Sequence, residues 1–427
     1  MEKMLFLSSE LPYPLHSGGK VKTWHVLEAF ANHWDVTLVC PLKLEDDLNL
    51  QEFMAKSSVT AVVTDTVERP RSAYNLLKSW HQRRPINVLR TDSLLLKEQV
   101  ANICQDQDFI FIDHFEAFQF VPTEILGNTR RKQTIIYHAH NAYHQIWQRY
   151  ASSTANLAYK MVCNIEAKRI IQYERHIVAS VDCCFAAPND IECLVNLGCS
   201  KDKLFQTLHL GDESALEQPA LRGDQTTQKL CYVGYLGWEP NIVGLEWFLK
   251  EVWPVLKQRH PKLILDIAGK NADQRLENAV QASNDITLLG YVENLETIYS
   301  DCRISIAPLL FGSGIKVKVI SAMARGLPLV TTSIGAEGLE VKHQDQLMIA
   351  DSPSAMVASI TQLLEDDILW QRIATNSRQV VIEKYTWAQM FNAMIENINS
   401  VALSRHRAST PLINLATKGK LNVLSAY

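Results

Sequence analysis

The chain has 427 residues, of which 47% are apolar and 21% charged, and a formal net charge of −4. That length calls for two domains rather than one core, and the composition is that of a globular protein. It gives no overall pull toward nucleic acid or anionic lipid, and no apolar run approaches the ~20 residues of a membrane span.

Short β-branched runs alternate with longer amphipathic ones from the start. Strands are expected in MLFLSS, DVTLVC from Asp35, SVTAVVT from Ser58, DFIFID from Asp108, QTIIYHA from Gln133 and VDCCFAA from Val181. Helical spacing fills most gaps, as in KVKTWHVLEAFANH after Gly19 and SLLLKEQVANICQ after Asp92. Near-continuous apolar strands separated by helices predict a parallel sheet covered on both faces. Between Tyr150 and Ser180 no strong breaker appears, which predicts one long helix. From Gly211 to Lys229 periodicity is lost and Pro and Gly enter, the mark of a linker. The alternation then restarts with KLCYVG, KLILDIAG, DITLLG and RISIAP, and a last strand follows Gly326-Leu327-Pro328. Three helical segments follow Asp351. The expected boundaries are 1–210 for a first α/β domain, 211–228 for the linker and 229–385 for a second α/β domain. A helix follows at 386–405, and then a tail at 406–427.

The nine cysteines are scattered singly apart from Cys183-Cys184 and show no metal-ligand spacing, so buried cytosolic thiols are expected. Pro12 and Pro14 cut the first apolar run too short for a signal peptide. The basic clusters Arg83-Arg84 and Arg130-Arg131-Lys132 read as solvated faces or turns, with an acidic ligand or a membrane surface as the alternative.

Open α/β sheets bind ligands beyond the carboxyl ends of their strands. Two stretches suit that place. In LPYPLHSGGK, Ser17-Gly18-Gly19 would turn backbone N–H groups toward an anion at a helix start, or form a plain flexible turn. In FGSGIKVKVISAMARGLPLVTT, Gly312 and Gly314 remove side chains where the chain leaves a strand. The helix expected from about Ile315 would aim its N–H groups, with the Ser313 hydroxyl, at a phosphate. Lys316 and Lys318 lie two residues apart and point to different sides of a helix, so at most one reaches a shared ligand. Ala322, Ala324 and Gly326 would let this helix approach the sheet closely.

At these residues the sequence resembles a retaining glycosyltransferase of the GT-B fold, family 4 type. The matching blocks are PYPLHSGGKVKTWHVLEAF, HNAYHQIWQRYA from His140, YVGYLGWEPNIVGLEWFLKEVWP, GYVENLETIYSDCRISIAPLLFGSGIKVKVISAMARGLPLVTT and GAEGL from Gly335. The resemblance implies two Rossmann-like domains facing a cleft. The first would take a saccharide, lipid-linked or other acceptor, the second a nucleoside-diphosphate-sugar, and the terminal helix would cross back. It implies transfer with retention, with no metal and no cofactor beyond the sugar-nucleotide co-substrate, in the cytoplasm or peripherally at a membrane. Nucleic acid is not an implied partner.

Carried over by position, Gly18 and Gly19 form the loop beside donor phosphates and acceptor. His140 leans over the sugar as the catalytic-site histidine, and His138 and His144 are structural. Gly234 lies near the nucleotide. Ser313, Gly314, Ile315 and Lys318 meet the diphosphate, with Lys318 favoured over Lys316. Two glutamates common in the family correspond here to Ser313 and Ser321, the second at the position that holds the ribose. A serine makes one such bond where a carboxylate accepts two. A glutamate of many relatives is replaced by Tyr143, and a basic pair by Tyr235 and Val243. Two readings follow: a working transferase with unusual donor geometry, or a catalytically degenerate partner subunit. A nicotinamide oxidoreductase is disfavoured because no G-x-G-x-x-G turn is present, and a GT-B sugar epimerase is a minor alternative.

Overall fold

The computed structural model describes residues 1–409 except 16–17, 71, 129, 154–155, 209, 211–212, 282 and 312–314. The first sheet has seven parallel strands: β1 Lys3–Ser8, β2 Asp35–Leu42, β3 Ala61–Thr66, β4 Phe109–Asp113, β5 Thr134–Ala139, β6 Cys183–Ala186 and β7 Leu204–Gln206. Their order is β3-β2-β1-β4-β5-β6-β7. The second sheet has six: β8 Lys229–Val233, β9 Ile264–Ala268, β10 Ile286–Gly290, β11 Ile304–Ala307, β12 Leu329–Thr331 and β13 Met348–Ile349, in the order β10-β9-β8-β11-β12-β13. Each chain path winds outward on one side of its first strand and then switches to the other. Crevices therefore open at the carboxyl ends between β1 and β4 and between β8 and β11.

The two-residue repeat explains why these strands run apolar throughout. In β1, Met4 and Phe6 enter one core while Leu5 and Leu7 enter the core on the opposite face. A separate core fills the second domain, from Leu230 and Leu265 to Trp370.

Two expectations are corrected. The helix expected across Tyr150–Ser180 is two helices, Tyr143–Ser153 and Leu157–Ser180. The second has its own start because the Asn156 side chain accepts from the Tyr159 N–H, 3.1 Å away. The closing helix runs past Arg405, from Trp387 to Ser409, and the remaining tail, 410–427, lies outside the described residues. The basic clusters lie in turns and on the surface as expected, with Arg83, Arg130 and Lys132 exposed, and they also make ion pairs: Arg84 with Asp92 at 2.9 Å, Arg131 with Asp182 at 2.9 Å and Lys132 with Asp108 at 2.7 Å.

The closing helix lies against the first domain. Trp387 stacks on His25 with ring centroids 4.8 Å apart, and Arg405 Nη2 donates to the Arg131 carbonyl at 3.1 Å. Its buried Met390, Met394 and Ile398 share a core with Phe6 and Phe111 of the first sheet and with Val319 and Met323 of the second domain. Among the described residues no helix is long and apolar enough to cross a membrane.

Candidate active site

In the first domain β4 ends in an acid, Asp113, and parallel pairing places it opposite His138 of β5. One oxygen, Asp113 Oδ1, accepts from His138 Nδ1 at 2.7 Å and from His140 Nε2 at 2.8 Å. Oδ2 accepts from the Thr23 hydroxyl at 2.5 Å. Asp113 is fully buried, and the histidines around it hold its carboxyl well below the usual range despite burial. Burial lowers His140 to about 4 against the opposing pull of Asp113, so the ring is neutral at physiological pH. With Asp113 ionised, His140 carries its proton on Nε2 and leaves Nδ1 as an acceptor.

His114 stacks on His140, with centroids 3.6 Å apart. It adopts φ 72° and ψ 148°, a backbone region that costs a side-chain-bearing residue about 1–3 kcal/mol. Lys22 of the helix Gly18–Ala31 is buried beside this cluster and lowered to about 8 by burial, with Asp113 and Asp190 opposing the shift.

Gly18 and Gly19 are the first residues of that helix rather than a loop before it. A side chain on Gly19 would begin 4.0 Å from His114 Cε1, so the helix start borders the histidine cluster. His138 is fully buried against Asp113, and His144 bonds Glu174 at 2.6 Å.

In the second domain, Ser313 and Gly314 lie outside the described residues. The helix starts at Val317, two residues later than expected, with Lys316 as its N-cap. It ends on Gly326, whose φ of 72° makes it a left-handed cap rather than a packing residue. Ile315 is partly buried and packs against the core.

The two lysines diverge: Lys316 reaches Glu337 at 3.6 Å, whereas Lys318 donates to the Tyr232 hydroxyl at 2.7 Å and to Asn241 Oδ1. Among the described residues Lys318 has no carboxylate partner, and burial together with Lys316 lowers it to about 7. Gly234 makes room for it, since a Cβ there would lie 2.9 Å from the Tyr232 hydroxyl and 3.1 Å from Lys318 Nζ. Asn241 is held by its own bond to the Tyr235 carbonyl at 2.7 Å. Its helix can come this close because a Cβ on Gly244 would stand 2.1 Å from the Pro308 carbonyl oxygen. Ser321 lies on the same helix as Lys318, one turn on and partly buried.

The sequence reading therefore named His140, Gly234 and Lys318 but missed Asp113, Lys22, His114, Tyr232 and Asn241. The acid closing an otherwise apolar strand, DFIFID, was the available signal for Asp113.

A model of the glycosyl transferases group 1 family matches residues 227–366, which contain the whole lysine pocket. The second domain is thus similar to the group 1 glycosyltransferases. The chain is 24% identical over 407 residues to an uncharacterised 44.6 kDa protein in a cps region of Klebsiella pneumoniae, covering 93% of this chain and 100% of that one. It is 21% identical to an uncharacterised glycosyltransferase of Methanocaldococcus jannaschii, over 59% of this chain and 64% of the relative. Among solved structures it shares the fold of Anabaena HepE in complex with UDP-glucose. That match has a TM-score of 0.61 and 12% identity, covering 94% of this chain and 100% of the other. Sucrose-phosphate synthase of Thermosynechococcus elongatus matches with a TM-score of 0.60 and 15% identity, over 95% and 100% of the two chains. The two parallel α/β domains are thus a GT-B fold.

Proposed function

We propose that this chain is a group 1 glycosyltransferase that moves a hexose from a nucleoside-diphosphate-sugar to a saccharide or lipid-linked acceptor, with retention and without a metal ion. The observation that carries the reading is Lys318: an enclosed amine beside a helix start, backed among the described residues by neutral oxygens. Burying a charge is costly unless it is paired, and a diphosphate supplies the missing partner. Gly18, Gly19 and Gly234 leave space for donor and acceptor, and Ile315, Ser313 and Gly314 bring backbone amides to the phosphates. Ser321 gives the ribose one hydrogen bond. As the bond from the anomeric carbon to the diphosphate breaks, the acceptor oxygen bonds to the same face and its proton passes to the departing phosphate. His140 Nδ1 accepts from a hydroxyl of the transferring sugar, and Lys318 stabilises the charge growing on the leaving group.

Two similar proteins support this reading: HepE was solved with UDP-glucose, and the Klebsiella relative lies in a cps region, which favours polysaccharide assembly. Turnover of a panel of nucleotide-sugars tests it. Release of nucleoside diphosphate with one donor is expected, and silence across the panel from a folded protein would refute it. The serine at 321 favours a second reading, a degenerate binding subunit. Ser321→Glu separates the two: about tenfold tighter UDP binding shows a ribose pocket still in place, whereas no gain favours the degenerate subunit.

A further inference from the structure

The helix Ala73–His81 buries Asn75 and Ser79, which are satisfied close by in the chain. Asn75 Nδ2 donates to the Pro70 carbonyl at 2.8 Å and the Ser79 hydroxyl to the Leu76 carbonyl at 2.7 Å. Its Tyr74 and Leu77 face outward instead, 73% and 62% exposed. A surface helix ordinarily does the opposite.

A second helix end behaves alike. Residues 156–161, where the helix Leu157–Ser180 begins, are exposed at every position, so this turn projects from the body of the first domain. It presents Leu157 and Met161, 81% and 59% exposed. The two helices meet at Trp80, whose Nε1 donates to Glu166 at 2.8 Å and whose carbonyl accepts from Arg169 at 3.2 Å. Met161 stands about 7–8 Å along the helix from Glu166.

Charge follows the same pattern. Residues 72–84 contain Lys78, Arg83 and Arg84 and no acid. Residues 143–169 contain Arg149, Lys160, Lys168 and Arg169 with one acid, Glu166, which is fully buried. Lys78, Arg83, Lys160 and Lys168 are exposed. In a chain of net charge −4 this face is cationic.

We infer that these two helix ends seat the first domain on an anionic lipid surface. Separate apolar tips interleaved with lysines suit an interface in which the tips enter the acyl boundary and the ammonium groups reach headgroup phosphates. A second copy of this chain would bring like charges together. The face borders a cleft of about 560 Å³ at the carboxyl edge of the first sheet. Pro70, just before the helix Ala73–His81, and Tyr143, at the start of Tyr143–Ser153, both line it. Of the acceptors proposed above, the lipid-linked one fits this placement, and that step alone rests on the transferase reading.

Vesicle flotation of the full chain tests the surface. The vesicles are phosphatidylcholine alone, or equal parts phosphatidylcholine and phosphatidylglycerol. The mixed vesicles should bind at least about tenfold more tightly, and about 1 M salt should remove most of that difference. Leu77→Glu and Leu157→Glu should each weaken binding about tenfold, and Lys78→Gln combined with Lys160→Gln about as much. All four positions are exposed, so melting temperature and UDP affinity should stay parental. Equal binding to the two vesicle types, no binding to either, or parental binding in both glutamate variants would overturn the inference. So would a concentration-dependent dimer that Leu77→Glu dissolves, which would give the face to a second copy. Vesicle binding by a protein that binds no UDP would instead overturn the transferase reading and leave the lipid surface standing.

Discussion

The two crevices of this molecule are built on the same parallel topology and end in opposite electrostatic states. At the carboxyl edge of the first sheet, Asp113 receives three donors, from Thr23, His138 and His140, so its charge is satisfied internally. At the edge of the second, Lys318 has among the described residues a phenol and an amide oxygen as partners and no carboxylate. One half is a finished network that fixes a neutral imidazole; the other is an unfinished one that lacks an anion. Preorganisation therefore sits on the side that would orient a sugar, and affinity on the side that would grip phosphate.

The sharpest way to break this contrast is to remove the fixed imidazole. His140→Ala should lower kcat about 10²-fold or more while leaving the Kd for UDP near its parental value; an equal loss in both would show that the halves do not divide the work. Lys318→Met should do the reverse, weakening UDP about 10- to 100-fold with glycoside binding at the first domain unchanged. An intact UDP affinity in that variant would remove the second half of the comparison.

A smaller effect concerns stability. His114, His138 and His140 are buried and lowered to about 3, 4 and 4 from an ordinary 6.5. Between those values the unfolded chain binds more protons than the folded one, so stability falls as pH drops from about 6.5 toward 4. Melting temperatures across pH 7 to 4 should decline over that window. His138→Gln should soften the decline, and a flat profile would contradict the neutral assignment.

Much of the architecture was legible because strands and helices carry their own periods: every stretch expected to be a strand contains one. Asn156 shows where local reading fails, since one capping side chain splits a run with no Pro or Gly to mark the break. The site was legible only where a residue type announces itself. His140 and Lys318 stand in recognisable motifs, whereas Asp113 becomes part of the site through its register with His138, 25 residues on. Tyr232 and Asn241 meet Lys318 from 86 and 77 residues away. Such partners are set by sheet order, which spacing along the chain does not encode.

The central claim is that Lys318 awaits a diphosphate. Calorimetric titration of UDP from pH 6 to 8.5 tests it most directly. A bound diphosphate favours the charged ammonium, so binding above pH 7 should take up a proton. Affinity should then fall, by up to about tenfold per pH unit, with the dependence absent in Lys318→Met. Binding that is insensitive to pH across that range, or identical in parent and variant, would contradict the account.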